Sequence, residues 1–159
     1  MTQQAFNVQT GIEFSDKSTQ ATAYRSIHAQ GKLTTNQSVP AGQDTAVLMV
    51  ADLDPNGLYD GNAVIIGTAG TYEVCLSVLW APNSTNSDTG QINVQIHKNT
   101  DQVFIAQTQI NVTQPMTQGG SVLINCVVGD AITATAYTSG TTGQTINSGN
   151  GTRLSVKLI

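Results

Sequence analysis

The sequence predicts an all-β chain: an antiparallel β-sandwich of the jelly-roll class, preceded by an extended N-terminal arm. Three observations predict it. Apolar and polar residues alternate at period two almost throughout, as they do when successive strand side chains point to opposite faces. Eight or nine such runs are separated by clusters of turn-forming residues, the spacing of a sandwich or jelly roll. No window holds apolar residues at i, i+3, i+4 and i+7 without also fitting the alternation.

Residues 1–26 are polar, with Phe6, Val8, Ile12 and Phe14 as spaced apolar anchors. They read as an extended arm, and residues 27–159 as one jelly-roll domain. Within the domain, strands are expected at 45–53, 62–67, 71–81, 91–98, 102–113, 121–128, 131–138 and 153–159, with a weaker one at 27–34. Ile92, Val94 and Ile96 alternate with Asn93, Gln95 and His97, and Leu154, Val156 and Leu158 alternate with Ser155 and Lys157. Thr, Val and Ile dominate these runs, as a pleated surface prefers. Asp54-Pro55-Asn56-Gly57 reads as a turn, and Ala81-Pro82-Asn83-Ser84 opens a loop ending near Gly90. Asn99-Thr100-Asp101 joins two alternating runs as a hairpin. Gln114-Pro115 and Gly119-Gly120 bracket a further loop, and Ser139 to Gly151 reads as a long one.

Composition narrows the function. The chain has 159 residues, of which 10% are charged, against roughly 25% in an average soluble domain. Ser, Thr, Asn and Gln fill the deficit at about 38% of the chain, well above average usage. A net charge of −4 with six Lys and Arg lacks the electrostatic footprint of a nucleic-acid surface. No apolar run approaches the ~20 residues of a membrane helix. The polar start Met1-Thr2-Gln3-Gln4 does not read as a secretory signal. Uncharged polar side chains cost less to desolvate than ions, so this composition suits burial against other chains.

Two stretches resemble known families. Over roughly residues 58–159, Leu58-Tyr59-Asp60, then Gly67-Thr68-Ala69-Gly70-Thr71-Tyr72-Glu73-Val74, Ile96-His97-Lys98-Asn99, Ser121-Val122-Leu123 and Val128-Gly129-Asp130-Ala131-Ile132 follow a family's ordered motifs. That family is the jelly roll shared by tumour necrosis factor and the globular head of the complement first component. The second aromatic usual after G-x-Y is Val74 here. The second stretch, Gly11-Ile12-Glu13-Phe14-Ser15-Asp16-Lys17-Ser18-Thr19-Gln20-Ala21-Thr22-Ala23, resembles a segment common in bacteriophage fibre and virion proteins, with Lys17 replacing the usual Gly.

The jelly-roll resemblance implies a homotrimer packed about a threefold axis through sheet faces. The run 71–81 supports this separately, because it is apolar on both faces: Tyr72, Val74, Leu76, Val78 and Trp80 on one, Cys75 and Leu79 on the other. A strand buried on both sides needs a second cover, either a neighbouring subunit or a loop or the arm. The expected trimer interface is Tyr72, Cys75, Leu79, Trp80, Leu154 and Leu158.

Chemistry is sparse. Asp52-Leu53-Asp54-Pro55-Asn56-Gly57 matches the opening of a calcium loop, making Asp52, Asp54, Asn56 and Asp60 weak candidates. Position twelve is Ala63 instead of Glu, so the stretch reads as an Asx/Pro turn and no metal is assigned. His28 and His97 have no partner at metal spacing. Cys75 and Cys126 form no C-x-x-C and read as reduced thiols, with an inter-strand disulfide open if their strands are neighbours. No nucleophile or phosphate-loop motif occurs, so no enzyme activity and no cofactor are implied. The expected function is a phage capsid decoration (cement) protein, a homotrimer on the outside of the head. Its arm anchors Phe6, Val8, Ile12 and Phe14 would bind the major capsid protein. Such a protein is made in the host cytoplasm and ends on the virion surface. The alternative is a tail-fibre or receptor-binding knob whose loops 82–90 and 139–151 recognise a host glycan.

Overall fold

The computed structural model describes residues 12–13, 19–20, 27–82, 90–110 and 114–159. Every regular element among them is a strand. In chain order they are β1 (Ile12–Glu13), β2 (Thr19–Gln20), β3 (His28–Leu33), β4 (Gln37–Val39), β5 (Thr45–Ala46), β6 (Val50–Leu53), β7 (Tyr59–Asp60) and β8 (Ala63–Ile65). There follow β9 (Gly70–Trp80), β10 (Gln91–Lys98), β11 (Asp101–Gln109), β12 (Met116–Cys126), β13 (Ala131–Thr138), β14 (Gln144–Ile146) and β15 (Gly149–Leu158).

Two antiparallel sheets face each other. The smaller has the order β11-β10-β13-β8-β7, with β5 also paired to β13. The larger has the order β4-β14-β9-β15-β3-β6, with β12 also paired to β9. Period-two alternation fills the space between them. Tyr72, Val74, Leu76, Val78 and Trp80 of β9 meet Ile92, Val94 and Ile96 of β10 and Ile132, Ala134 and Ala136 of β13 in one buried core. β1 and β2 form a separate two-stranded ladder, Ile12 opposite Gln20 and Glu13 opposite Thr19. Phe6, Val8 and Phe14 lie outside the described residues.

Three expected elements differ from those found. The run 45–53 is two strands in different sheets: β5 pairs with β13, and β6 with β3. Val47 and Met49 stay buried across the corner while Leu48 is exposed, so alternation continues through the bend and does not reveal it. The Gln37 side chain stitches the corner, accepting from Leu48 N and donating to Ala46 O. Second, β12 begins at Met116, so Gly119 and Gly120 lie inside a strand. They are sites of close approach: a Cβ on Gly119 would lie 1.9 Å from Leu76 O, and one on Gly120 2.6 Å from the Phe104 ring. Third, 139–151 is not all loop. It holds β14, whose Ile146 is fully buried opposite Trp80, and the start of β15.

A buried amide ties the layers together. Gln118 of β12 accepts from the Trp80 indole N–H at 3.1 Å and donates to Ile92 O at 3.1 Å and Ala106 O at 3.0 Å. It thereby joins β12 and β9 in one sheet to β10 and β11 in the other.

A second polar cluster fixes one end of the sandwich. Asn99, at φ 57°, occupies the left-handed region that Asn tolerates. Its side chain accepts from Ala131 N and donates to Asp130 Oδ1 at 2.9 Å, and Asp130 Oδ2 accepts from Val127 N at 3.0 Å. The Asn99 amide, the Val127 N–H and nearby Lys98 hold the Asp130 carboxyl below the usual carboxylate range. A depressed folded-state pKa stabilises the fold above the unfolded value of about 4, and that contribution is lost as pH falls through the folded value. The denaturant midpoint is therefore expected to fall below pH 4. Asp130→Asn should be less stable at pH 7 and lose less between pH 7 and pH 3. Asp52, lowered chiefly by its hydrogen bond from Lys32, retains part of the acid dependence. An acid dependence in Asp130→Asn as steep as in the parent would contradict the assignment.

Candidate functional site

Ladder register decides which side chains reach each outer face. On β9, Tyr72 (0% exposed) and Trp80 (2%) point inward with Val74, and on β15 Leu154 (1%) does the same. The Tyr72 hydroxyl donates to Thr68 O at 2.7 Å. Leu158 is opposite Tyr72 and packs on the core. Four of the six expected interface residues thus face the interior of their own sandwich, and the first three have no surface left to give a partner. Cys75 and Leu79 have the opposite parity and lie half-buried on the outward face of the larger sheet.

Around them the register assembles a continuous surface. Ser121, Cys75, Ser155 and Gln30 form one row across β12, β9, β15 and β3, ending at Leu53 of β6. Gly119, Ser77, Arg153 and Lys32 form the next, and Leu123, Glu73, Lys157 and His28 flank the other side. The β12–β9 half is small and mostly uncharged. Burial and the Glu73 charge push the Cys75 thiol up, so it is neutral at physiological pH. Ionised groups gather toward β6, where Asp52 pairs with Lys32 and lies 4.0 Å from Arg153.

Leu123 is 63% exposed on this face and was not expected there. The signal was present: Leu123 sits between Val122 and Ile124, off the parity of the core residues, as Cys75 and Leu79 do on β9.

Cys75 and Cys126 lie on neighbouring strands, yet Cys126 is opposite Gly70 and Cys75 opposite Ser121. Five ladder steps and opposite parity separate them, with Cys126 facing inward, and both are free thiols.

The acidic turn closes on itself. Both Asp54 oxygens accept backbone N–H groups, from Leu58 at 2.7 Å and Tyr59 at 2.8 Å. Asp52 turns to Lys32 and Arg153, while Asn56 and Asp60 are exposed. No group of three or more His, Cys, Asp or Glu gathers as metal ligands among the described residues.

The outward face of the smaller sheet is an amide-rich polar platform. Gln95, though outward, is 8% exposed, because it donates to Asn93 Oδ1 at 3.1 Å and Asp44 Oδ1 at 3.3 Å. His97 Nε2 lies 3.1 Å from both Gln95 Oε1 and Thr135 Oγ1. Tyr137 stands opposite Asn93.

Two facing antiparallel sheets, the larger with β12, β9, β15 and β3 side by side, define a two-layer jelly roll of the tumour necrosis factor and complement 1q type. Solved structures of that type match the chain. The Eiger tumour necrosis factor of S. frugiperda aligns at TM-score 0.63 and 12% identity, covering 84% of this chain and 92% of that one. Murine APRIL aligns at TM-score 0.61 and 15% identity, covering 85% and 100%. The globular domain of zebrafish complement 1qA aligns at TM-score 0.57 and 10% identity, covering 82% and 97%. No protein-family model and no curated protein sequence matches the chain.

Proposed function

We propose that this chain is a homotrimeric, non-enzymatic structural protein of a virion, a decoration (cement) protein on the outside of a bacteriophage head. The observation that carries the self-association is the outward face of the larger sheet. Ser121, Cys75 and Ser155 form an uncharged central row in register, beside half-buried Leu79 and exposed Leu123, and such a row loses little on desolvation. The low charge of the chain, the trimeric habit of the jelly-roll family and the phage-like segment 11–23 support the rest. A trimer presents three arms at once, and linked contacts gain effective concentration without new chemistry. Residues 1–26 would lie on the major capsid protein and lock adjacent subunits.

Light scattering of the full chain should give three times the 16.7 kDa protomer mass, and Cys75→Arg should lower it. Co-sedimentation with heads should be lost on deletion of residues 1–26 while the trimer persists. A monomer, or capsid binding indifferent to the deletion, would overturn the reading.

The amide-rich platform of Asn93, Gln95, His97 and Tyr137 favours a second reading, a fibre knob recognising a host glycan. Amides and a flat aromatic are suited to sugar hydroxyls and ring faces. Binding of purified protein to host cells and not to heads would select it.

A further inference from the structure

The larger sheet ends in an unguarded edge. β6 pairs with β3 on one side, and no strand occupies its other side among the described residues. A register shift between Gln30 and Gly31 leaves Asp52 as an extra residue. Val50 and Leu53 therefore both fall opposite outward-facing positions, Lys32 and Gln30. With Leu48 they form a strip exposed by 51%, 45% and 47% for Leu48, Val50 and Leu53. Proteins usually blunt such edges with charge or proline. Here the one charge, Asp52, is engaged by Lys32.

The arm carries a complementary pattern. Phe6, Val8, Ile12 and Phe14 all fall on even positions of a nine-residue stretch, which is one face of a strand. Its described part, β1, pairs on one side with β2, and the β1–β2 ladder joins neither sheet of its own chain. Among the described residues, one side of β6 and one side of β1 carry no partner strand. With β2 folded back on β1, the tether is the six residues between Gln20 and Ile27, which span at most about 25 Å. The strip also continues the outward face assigned to self-association.

We propose that the edge of β6 receives the 6–14 segment of a neighbouring copy as an added strand, so that Phe6, Val8, Ile12 and Phe14 lie beside Leu48, Val50 and Leu53. The exchange rests on the self-association reading. It moves the four apolar anchors from the capsid protein to the neighbouring copy, leaving the rest of residues 1–26 to meet the capsid; main-chain ladder bonds supply affinity and side-chain parity supplies register.

The test uses the full chain with Cys75→Ser. Cysteines placed singly at Phe6, Val8, Ile12 or Phe14 are mixed with a differently tagged chain carrying Val50→Cys, and oxidised. A covalent hetero-dimer is expected from at least one pair, well above that given by an exposed control, Ile105→Cys. Separately, trypsin cleavage at Lys17 should be about ten-fold faster in Val50→Glu/Leu53→Glu than in the parent, because the two charges block the edge without touching the core. A trimeric mass with neither cross-link nor protection overturns the exchange alone, and a cross-link formed only within one chain does the same. A monomeric mass overturns both the exchange and the self-association reading.

Discussion

Replacing Gln118 with Leu is expected to lower the unfolding free energy by about 2–4 kcal/mol. The volume is nearly preserved, so the effect isolates hydrogen bonding from packing. Leu leaves the Trp80 indole N–H without its acceptor and takes a donor from Ile92 O and Ala106 O. The Trp80 indole and Ile92 O lie in the buried core, where Trp80 is 2% exposed, while Ala106 O is part-buried, and an unmatched buried donor costs about 1–3 kcal/mol by itself. At an m value of about 2 kcal/mol/M, the urea midpoint should fall by roughly 1–2 M. Trp80 is the sole tryptophan of the chain, so its emission reports the same site. A native-state red shift is expected if the sheets part near β10. Gln109→Leu, exposed on the edge strand β11, should move the midpoint little. Equal effects from the two substitutions would show that the buried amide does not join the layers.

Alternation made the sandwich legible, and the same regularity hid its detail. Period two separates two faces of a strand but does not say which is inside, so Tyr72 and Trp80 read as interface residues. Register against β12 and β15 is what sends them inward and leaves Cys75 and Leu79 outside. The corner at Val47–Met49 is equally silent, because the parity of buried residues survives the passage from one sheet to the other. Gly119-Gly120 read as the end of a loop because glycine marks both loops and close approaches. Only a neighbouring strand distinguishes the two. Leu123 was readable by parity alone. The unguarded β6 edge was not, since it depends on strand order and on one bulge opposite Gln30.

Substituting Ala at Gly119 is expected to cost about 3 kcal/mol or more, above the usual range for overpacking. The reason lies in what the new methyl meets. At Gly119 the Cβ would sit 1.9 Å from Leu76 O and 2.9 Å from the Ser77 Cα, both backbone atoms of β9. Relief requires β12 to move off β9, and this ladder runs eleven residues from Met116–Trp80 to Cys126–Gly70. At Gly120 the obstacle is the Phe104 ring at 2.6 Å, a half-buried side chain that can rotate away, so Ala there should cost about 1–2 kcal/mol. At Gly67 the nearest atom is Leu58 Cδ2 at 3.5 Å, ordinary contact, and Ala should change stability by no more than about 0.5 kcal/mol. All three substitutions add one methyl group, so the order Gly119, Gly120, Gly67 measures the rigidity of the obstacle. Equal losses at Gly119 and Gly67 would mean that the glycine pair lies in a loop and that β12 starts after it. The β12–β9 half of the outward face would then lose Gly119. Gly119→Ala should also lower the oligomer mass at protein concentrations where Gly67→Ala does not, because moving β12 disturbs the surface offered to the neighbouring copy.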